Sequence, residues 1–189
     1  NIHIYCFAHN ITNYRYHWHP DEYELSILLH GKQAYCRGSE NYLLTEDDII
    51  LTAPGNGHAS LTQEAGTRAL VLHFSAAVFK PLVKKGIIYR FPSCRSGSEN
   101  RMDERYRLIR FYVSQIFRTM QENSPYAQLA VKAQLELLAI CLCANFEHTT
   151  FNVLPEDVER RTIARRLLGY VEEHYASKLT LEDLADYAQ

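Results

Sequence analysis

The chain has few of the motifs that identify a protein class by themselves. Its five cysteines are an odd number without a Cys-x-x-Cys pair, so the sequence predicts no disulfide framework. Phosphate-binding glycine loops, the Gly-x-Ser-x-Gly elbow and the His-Glu-x-x-His helix are missing. No apolar run approaches the ~20 residues that cross a bilayer, and no basic segment precedes an apolar one at the N-terminus. We therefore expect a cytoplasmic protein with no membrane partner.

Charge and composition also set limits. Lys and Arg number 20 against 22 Asp and Glu, a formal charge of −2, which argues against a strongly basic nucleic-acid surface. Apolar residues make up 47% of the chain and charged residues 22%, as in an ordinary folded domain. A length of 189 residues suits one domain, or one domain and a fragment of another.

The first half of the chain predicts short strands. From residue 2 to about Phe91, apolar and β-branched runs of seven residues or fewer are separated by glycines such as Gly31, Gly38 and Gly55. Regular spacing of this kind favours an antiparallel barrel or sandwich. A polar connector follows at 92–98, and we expect no strand after Glu99.

Two helices are predicted next, over 99–122 and 126–146. Apolar residues in the first recur at steps of four and three, a pattern typical of a face buried against another helix. They are Met102, Tyr106, Ile109, Val113, Ile116 and Met120. The second helix carries more apolar surface than one partner covers. Part of this surface should pack on the strands, and part should form a homodimer interface.

A set of polar residues in the strand region points to a pocket. His17 and His19 are two positions apart, so a strand through them can direct both imidazoles to the same side. Glu24 opens the next apolar run and can direct its carboxylate towards them. His58 follows a proline-marked stretch and can reach the same place from a later strand.

The spacing of these residues resembles the cupin family. The first cupin motif has two histidines, a glutamate and a glycine, which this chain matches with His17, His19, Glu24 and Gly31. The motif's upstream glycine is missing. Residues 47–54, followed by His58, resemble the second cupin block as it occurs in AraC/XylS-type transcription regulators, with Asp47 where a glycine is common.

The end of the chain resembles the same regulators. Residues 166–175 and 179–185 look like the opening of their DNA-binding domain, and Thr180 with Asp183 forms a capping-box-like helix start. The resemblance implies an α+β fold, in which an N-terminal antiparallel cupin-like β-barrel precedes two long helices and the opening helices of a helix-turn-helix domain. The implied domains are a ligand-sensing barrel, a helical dimerisation region and a truncated start of the DNA-binding domain, at 1–92, 99–148 and 156–189.

Strand alternation extends the expected pocket. It adds Arg15, Ser26, Tyr35 and Arg37 to the four residues above, so the predicted ligand-binding set is Arg15, His17, His19, Glu24, Ser26, Tyr35, Arg37 and His58. We expect His73, which matches no motif position, to be an ordinary strand histidine.

Three interpretations of this pocket remain open. His17, His19, Glu24 and His58 suit a divalent metal such as Zn, Ni, Fe or Mn, although no cofactor is certain. The same groups could instead bind an organic ligand without metal, with Arg15 or Arg37 holding an acid bidentately. In the third interpretation, the histidines cap strand ends and bind nothing.

Two functions from different classes follow. The first is a non-enzymatic, ligand-responsive transcription regulator, whose effector is a sugar or organic acid and which binds promoter DNA through a part beyond Gln189. No DNA-binding residue is then expected within the 189 residues. The second is a metal-dependent cupin enzyme, an oxygenase or isomerase. The helices beyond the barrel favour the first.

Overall fold

Eight antiparallel strands form two four-stranded sheets. In the first sheet the order is β1-β8-β3-β6, and in the second it is β2-β7-β4-β5. The first sheet comprises β1 (Ile4–Asn10), β3 (Glu22–His30), β6 (Ile49–Thr52) and β8 (Arg68–Ser75). The second comprises β2 (Tyr14–His17), β4 (Lys32–Arg37), β5 (Glu40–Thr45) and β7 (His58–Thr62).

The computed structural model describes residues 4–10, 13–82, 87–152 and 155–188. The chain divides into two compact units, Asn1–Phe151 and Asn152–Gln189. The two four-stranded sheets and the first two α-helices belong to the first unit, and the last two helices belong to the second.

The core contains side chains from both sheets. A buried cluster joins Leu28, Ile50 and Val71 of the first sheet with Tyr35 and Leu44 of the second. Period-two alternation produces this arrangement, because every second residue of each strand points inward. The sequence predicts an antiparallel barrel or sandwich. The structure is a β-sandwich, because the described strands of this region pair in two separate sheets.

Asp47 occupies the turn that leads into β6. Its φ of 69° makes it the only non-glycine among the described residues with a positive φ. Glycine adopts this left-handed region without the steric cost of a Cβ atom, and aspartate is one of the few other residues that tolerate it. The departure from the family's common glycine at this position therefore leaves the turn intact.

A strand follows Glu99, contrary to the sequence prediction. β9 (Ile87–Arg90) and β10 (Thr149–Asn152) form a separate two-stranded sheet. The run that forms β10 is short, which is why the sequence predicts no strand there, although its threonines and phenylalanine favour strands. Packing adds to this preference, since the Arg90 guanidinium lies 3.8 Å from the centre of the Phe151 ring.

Two helices complete the first unit. α1 (Glu104–Gln121) and α2 (Ala127–Asn145) pack against each other. The predicted stripe of α1 is buried at its centre, from Tyr106 to Ile116, but Met102 and Met120 at its ends are 70% and 37% exposed. The helix also begins five residues later than expected, after Asp103.

α2 corrects a second expectation. By length and composition alone it is apolar enough to cross a membrane, whereas the sequence analysis predicts no apolar run of that length. Charged residues interrupt the apolar run at Lys132 and Glu136, which form an ion pair of 3.9 Å along the helix. Leu135, Leu138 and Leu142 are fully buried, so one face of α2 packs into the core of the first unit.

The second unit is a pair of helices, α3 (Pro155–His174) and α4 (Leu181–Ala188). The predicted capping interaction is present, because the Asp183 backbone N–H donates to Thr180 Oγ1 at 3.2 Å and the Thr180 N–H donates to the Asp183 carboxylate at 2.9 Å. Tyr170 of α3 stacks on Tyr187 of α4 with ring centres 4.4 Å apart.

Candidate functional site

A cavity of about 170 Å³ lies between the two sheets. Its lining combines imidazoles, a carboxylate, hydroxyls, an amide and three apolar side chains. The lining residues are Phe7, Tyr14, His17, His19, Glu24, Ser26, Gln33, Tyr35, His58, Ser60, Val71 and His73. No Lys or Arg is among them.

Glu24 is the centre of the polar cluster. Its Oε2 lies 3.3 Å from His19 Nε2 and 3.0 Å from His58 Nε2, and its Oε1 accepts a hydrogen bond of 3.1 Å from the Tyr35 hydroxyl. Burial raises the pKa of the carboxyl, but the hydrogen bonds from His19 and His58 outweigh this and hold the pKa well below its usual range. Glu24 is therefore a buried anion.

Backbone carbonyls fix the orientation of two imidazoles. His17 Nδ1 lies 2.8 Å from the Arg15 carbonyl, and His58 Nδ1 lies 3.2 Å from the Asn56 carbonyl. A carbonyl only accepts, so each Nδ1 carries a hydrogen and each Nε2 is the atom left for other chemistry. This is the arrangement in which metal-binding histidines are commonly held.

Both ring nitrogens of His58 lie next to hydrogen-bond acceptors, Nδ1 next to the Asn56 carbonyl and Nε2 next to the Glu24 carboxylate. Its Nε2 can donate to Glu24 only if the ring is protonated, since Nδ1 already donates to Asn56. Burial lowers the pKa of His58, but the hydrogen bond and the negative charge of Glu24 outweigh it and raise the pKa above its ordinary value. The site thus attracts a positive charge at Nε2, which either a proton or a metal cation can supply.

The donor set fits a divalent metal. His17, His19, Glu24 and His58 each offer a ligand atom, and these atoms lie within 4.8 Å of one another. Burial lowers the pKa of His17, and the neighbouring imidazoles add to the effect, so its Nε2 lone pair is free at neutral pH. Three imidazoles and one carboxylate suit zinc, nickel, iron or manganese.

Neither predicted arginine lines the cavity. Arg15 is exposed on β2, where the pairing register with β7 shifts between Tyr14 and His17. This bulge lets Tyr14 and His17 line the cavity together and breaks the alternation that predicted an inward Arg15. The predicted placement of Arg15 in this cavity is therefore wrong. The predicted placement of Arg37 there is wrong too, because Arg37 is buried elsewhere.

Arg37 shares the inward face of β4 with Gln33 and Tyr35 but lies at the end of the strand. Its Nη1 donates to the Leu51 carbonyl and its Nη2 to the Pro92 carbonyl, both at 2.8 Å. Alternation therefore predicted the correct face but not the position along the strand.

The sequence interpretation missed the role of His73. The residue pairs with Glu24 in the β3–β8 register, and its Nε2 lies 3.6 Å from Glu24 Oε2. Its ring also lies 4.7 Å from that of His19. No motif marks this position, and only its placement opposite Glu24 across the sheet would have revealed it.

Gln33, Tyr14 and Phe7 were also missed. Gln33 is 2% exposed, and its Oε1 has no hydrogen-bond partner among the described residues. A buried carbonyl without a partner is costly, so a bound molecule that donates to it would remove this cost. In the sequence, the only indication that Gln33 faces the cavity is its position two residues before Tyr35 on the same strand.

Several solved structures are similar to part of this chain. KdgF from Halomonas sp. matches at 13% identity and a TM-score of 0.35, over 39% of this chain and 68% of that one. The Cnp3 cupin domain of Schizosaccharomyces pombe matches at 10% identity and a TM-score of 0.36, over 42% of this chain and 60% of that one. A predicted oxalate decarboxylase from Thermotoga maritima matches at 14% identity and a TM-score of 0.33, over 38% of this chain and 64% of that one. The chain thus spans less than two thirds of the last two structures.

No curated protein matches the sequence. The structural similarities are too distant to support an argument about activity. The family comparison is more informative, because the model of the AraC-like ligand binding domain matches residues 1–139, well over half of the 189 residues. The chain therefore belongs to the AraC-like ligand binding domain family.

Proposed function

We propose that this chain is the sensor portion of a ligand-responsive transcription regulator, with its effector bound in the cavity around Glu24. The observation that supports this most is the cavity itself, a space of about 170 Å³ lined by convergent polar groups within a family of ligand-binding domains. Sites for small molecules are concave, with a few placed polar groups among apolar ones.

The size of the cavity limits the effector. A cavity of about 150 Å³ accommodates benzene, so one of about 170 Å³ suits a single sugar ring or a short organic acid. Phe7, Tyr14 and Val71 offer apolar contacts, whereas Gln33 and Ser60 offer hydrogen bonds. A hydroxylated molecule satisfies both kinds of contact.

A divalent metal would complete the site for an acidic effector. Because no Lys or Arg is among the described residues that line the cavity, a carboxylate there meets no cation from them and would face the Glu24 anion. We propose that His17, His19, Glu24 and His58 hold the metal, which supplies the positive charge for an acid or a coordination position for a hydroxyl.

We further propose that the domain forms a homodimer through α1 and α2. After the two helices pack together, α2 still exposes Leu129, Leu137 and Ile140 at 69%, 47% and 54%. These positions lie on one face of the helix, and Phe111 of α1 is 55% exposed. Exposed apolar surface of this extent commonly marks a contact with another protein, and a second copy of the same helices provides a matching surface.

The second unit is consistent with the beginning of a DNA-binding domain. Among the described residues of α4 none is buried, and Leu181 is 82% exposed, so the apolar side of this helix is available for further helices. We propose that a longer chain supplies them as two helix-turn-helix units, and that promoter DNA binds there.

DNA binding tests the regulatory role. The 189-residue chain should bind duplex DNA weakly, because 156–189 holds five Lys or Arg against eight Asp or Glu and phosphate contacts need cations. The longer product of the gene should bind promoter DNA at least about 1,000-fold more tightly, as specific complexes commonly do relative to non-specific ones. Fluorescence anisotropy at equal salt measures both.

The control for this experiment is a scrambled duplex of the same length. Tight, sequence-selective binding by the 189-residue chain itself would contradict the assignment of its C-terminal end. Equal, weak binding of both proteins to both duplexes would contradict the regulatory function.

A metal-dependent cupin enzyme is the second candidate. The observation that favours it is the set of three imidazoles and one carboxylate within 4.8 Å, which could activate water or oxygen on a bound metal. Turnover of a bound small molecule by the metal-loaded chain would support the enzyme. Its recovery unchanged, together with ligand-dependent DNA binding by the longer protein, would support the regulator.

A further inference from the structure

A second group of potential metal ligands lies beside the first. His19, Glu22 and His73 each offer one ligand atom, and these atoms lie within 4.8 Å of one another. His19 belongs to both groups, but Glu22 and His73 are not among the four ligands of the first. Two imidazoles and one carboxylate bind iron, zinc or nickel and leave further coordination positions open. The proposed function gives neither Glu22 nor His73 a role.

Sheet geometry places Glu22 and His73 on one face. Glu22 and Glu24 are two positions apart on β3, so their side chains point to the same side. His73 on β8 is the register partner of Glu24, and cross-strand partners direct their side chains to the same face. The ring of Phe7 stacks on the His73 ring with centres 6.0 Å apart. His73 is therefore oriented by its neighbours before any ion binds.

The distances around His73 suit an ion rather than hydrogen bonds. Its Nδ1 lies 3.9 Å from Glu22 Oε2, and its Nε2 lies 3.6 Å from Glu24 Oε2. Both separations are longer than a hydrogen bond. Two ligand atoms that each lie about 2.1 Å from one metal are about 3.4 Å apart at a tetrahedral angle, and about 4.2 Å apart at most. A metal ion therefore fits between His73 and Glu22 with little movement.

The second group is more accessible than the first. The side chains of His19 and Glu22 are 26% and 27% exposed, and that of His73 is 13% exposed. The side chain of His58 in the first group is only 2% exposed. A hydrated ion can thus reach Glu22 without displacing the buried pair of His58 and Glu24.

We propose that His19, Glu22 and His73 form a second, outer position for a divalent metal ion at the edge of the cavity. A neutral imidazole has a single nitrogen lone pair, so His19 binds an ion in the first position or in the outer one, but not in both. The two positions are therefore alternatives for one ion. This inference extends the metal site of the proposed function, but its test uses chains in which the first position is disabled.

Calorimetric titration of His17→Ala/His58→Gln with zinc tests the outer position. This variant lacks two ligands of the first position and keeps all three of the second. The glutamine retains an N–H donor for Glu24. We expect saturable binding of one zinc ion per chain, weaker than in the wild type. Adding either His73→Ala or Glu22→Gln to this variant should weaken the binding by about 10-fold or more, because even partners of ligands commonly contribute that much.

A second variant applies if circular dichroism shows that His17→Ala/His58→Gln does not fold. His17→Ala/Glu24→Gln preserves the shape of the Glu24 side chain and removes its charge, and it leaves His19, Glu22 and His73 unchanged. The same additions, His73→Ala and Glu22→Gln, should weaken its zinc binding to the same extent. Glu24 is then no longer a carboxylate that could replace Glu22 as a ligand.

His30→Ala is the matched control within either variant. His30 and Glu46 form another histidine–carboxylate pair, with His30 Nδ1 3.5 Å from Glu46 Oε2, but belong to neither group of ligands. Adding His30→Ala should leave the zinc affinity unchanged.

The outer position is overturned by any of three results in a folded variant. These are no saturable zinc binding, binding that stays as tight after His73→Ala or Glu22→Gln, and a loss with His30→Ala as large as with His73→Ala. Failure of the proposed function has a different signature. A wild-type chain that binds zinc no more tightly than His17→Ala/His58→Gln would contradict the first position and leave the outer one supported.

Discussion

The variant His17→Ala/His19→Ala is expected to lose at least about 100-fold in affinity for divalent metal. The two substitutions remove two of the four ligand atoms that lie within 4.8 Å of one another, and even the loss of a hydrogen-bonded partner of a ligand commonly costs 10–100-fold. The fold should remain, because neither histidine belongs to the apolar core.

Elemental analysis of protein purified without a chelator measures this directly. We expect about one metal ion per chain in the wild type, as four ligands define one site, and almost none in the variant. His30→Ala is the matched control, since His30 is about half exposed and lies near Glu46 rather than Glu24. A metal content that is equal in the variant and the wild type would contradict the assignment of the ligands.

Two residues of α2 that lie two positions apart should respond differently to a new charge. Leu138 is fully buried and Ile140 is 54% exposed. We expect Leu138→Asp to destabilise the domain by about 4 kcal/mol or more, because it removes a core side chain and buries a charge. Ile140→Glu should leave the fold intact and convert the proposed dimer to a monomer.

Light scattering coupled to gel filtration, with circular dichroism for folding, distinguishes these effects. Gln128→Glu, at an exposed position of the same helix, controls for added charge and should remain dimeric. A wild-type chain that is monomeric at high concentration would contradict the dimer, and so would an Ile140→Glu chain that is dimeric.

Local patterns were sufficient to predict much of the architecture. The change from alternation to steps of three and four separates the strands from α1 and α2, and the buried residues Ile109 and Val113 follow the predicted stripe. These features depend on neighbours close in sequence, whose geometry is fixed by the period of the element.

The remaining differences depend on contacts that no local pattern encodes. The bulge in β2 reversed the predicted face of Arg15. β10 forms because it pairs with β9, about 60 positions earlier in the chain. His73 joined the cavity because of its register opposite Glu24. Pairing register is set by the whole sheet, so a single strand could not have predicted these contacts.

Identification of the effector by thermal unfolding tests the central claim most directly. The wild-type chain would be screened with sugars and short organic acids, each with and without zinc, nickel or manganese. We predict that at least one compound raises the Tm by about 5 °C or more, since a ligand at 100 times its Kd adds about 2.7 kcal/mol to stability. The His17→Ala/His19→Ala variant should show no such shift, and an equal shift in that variant would contradict binding in the cavity around Glu24.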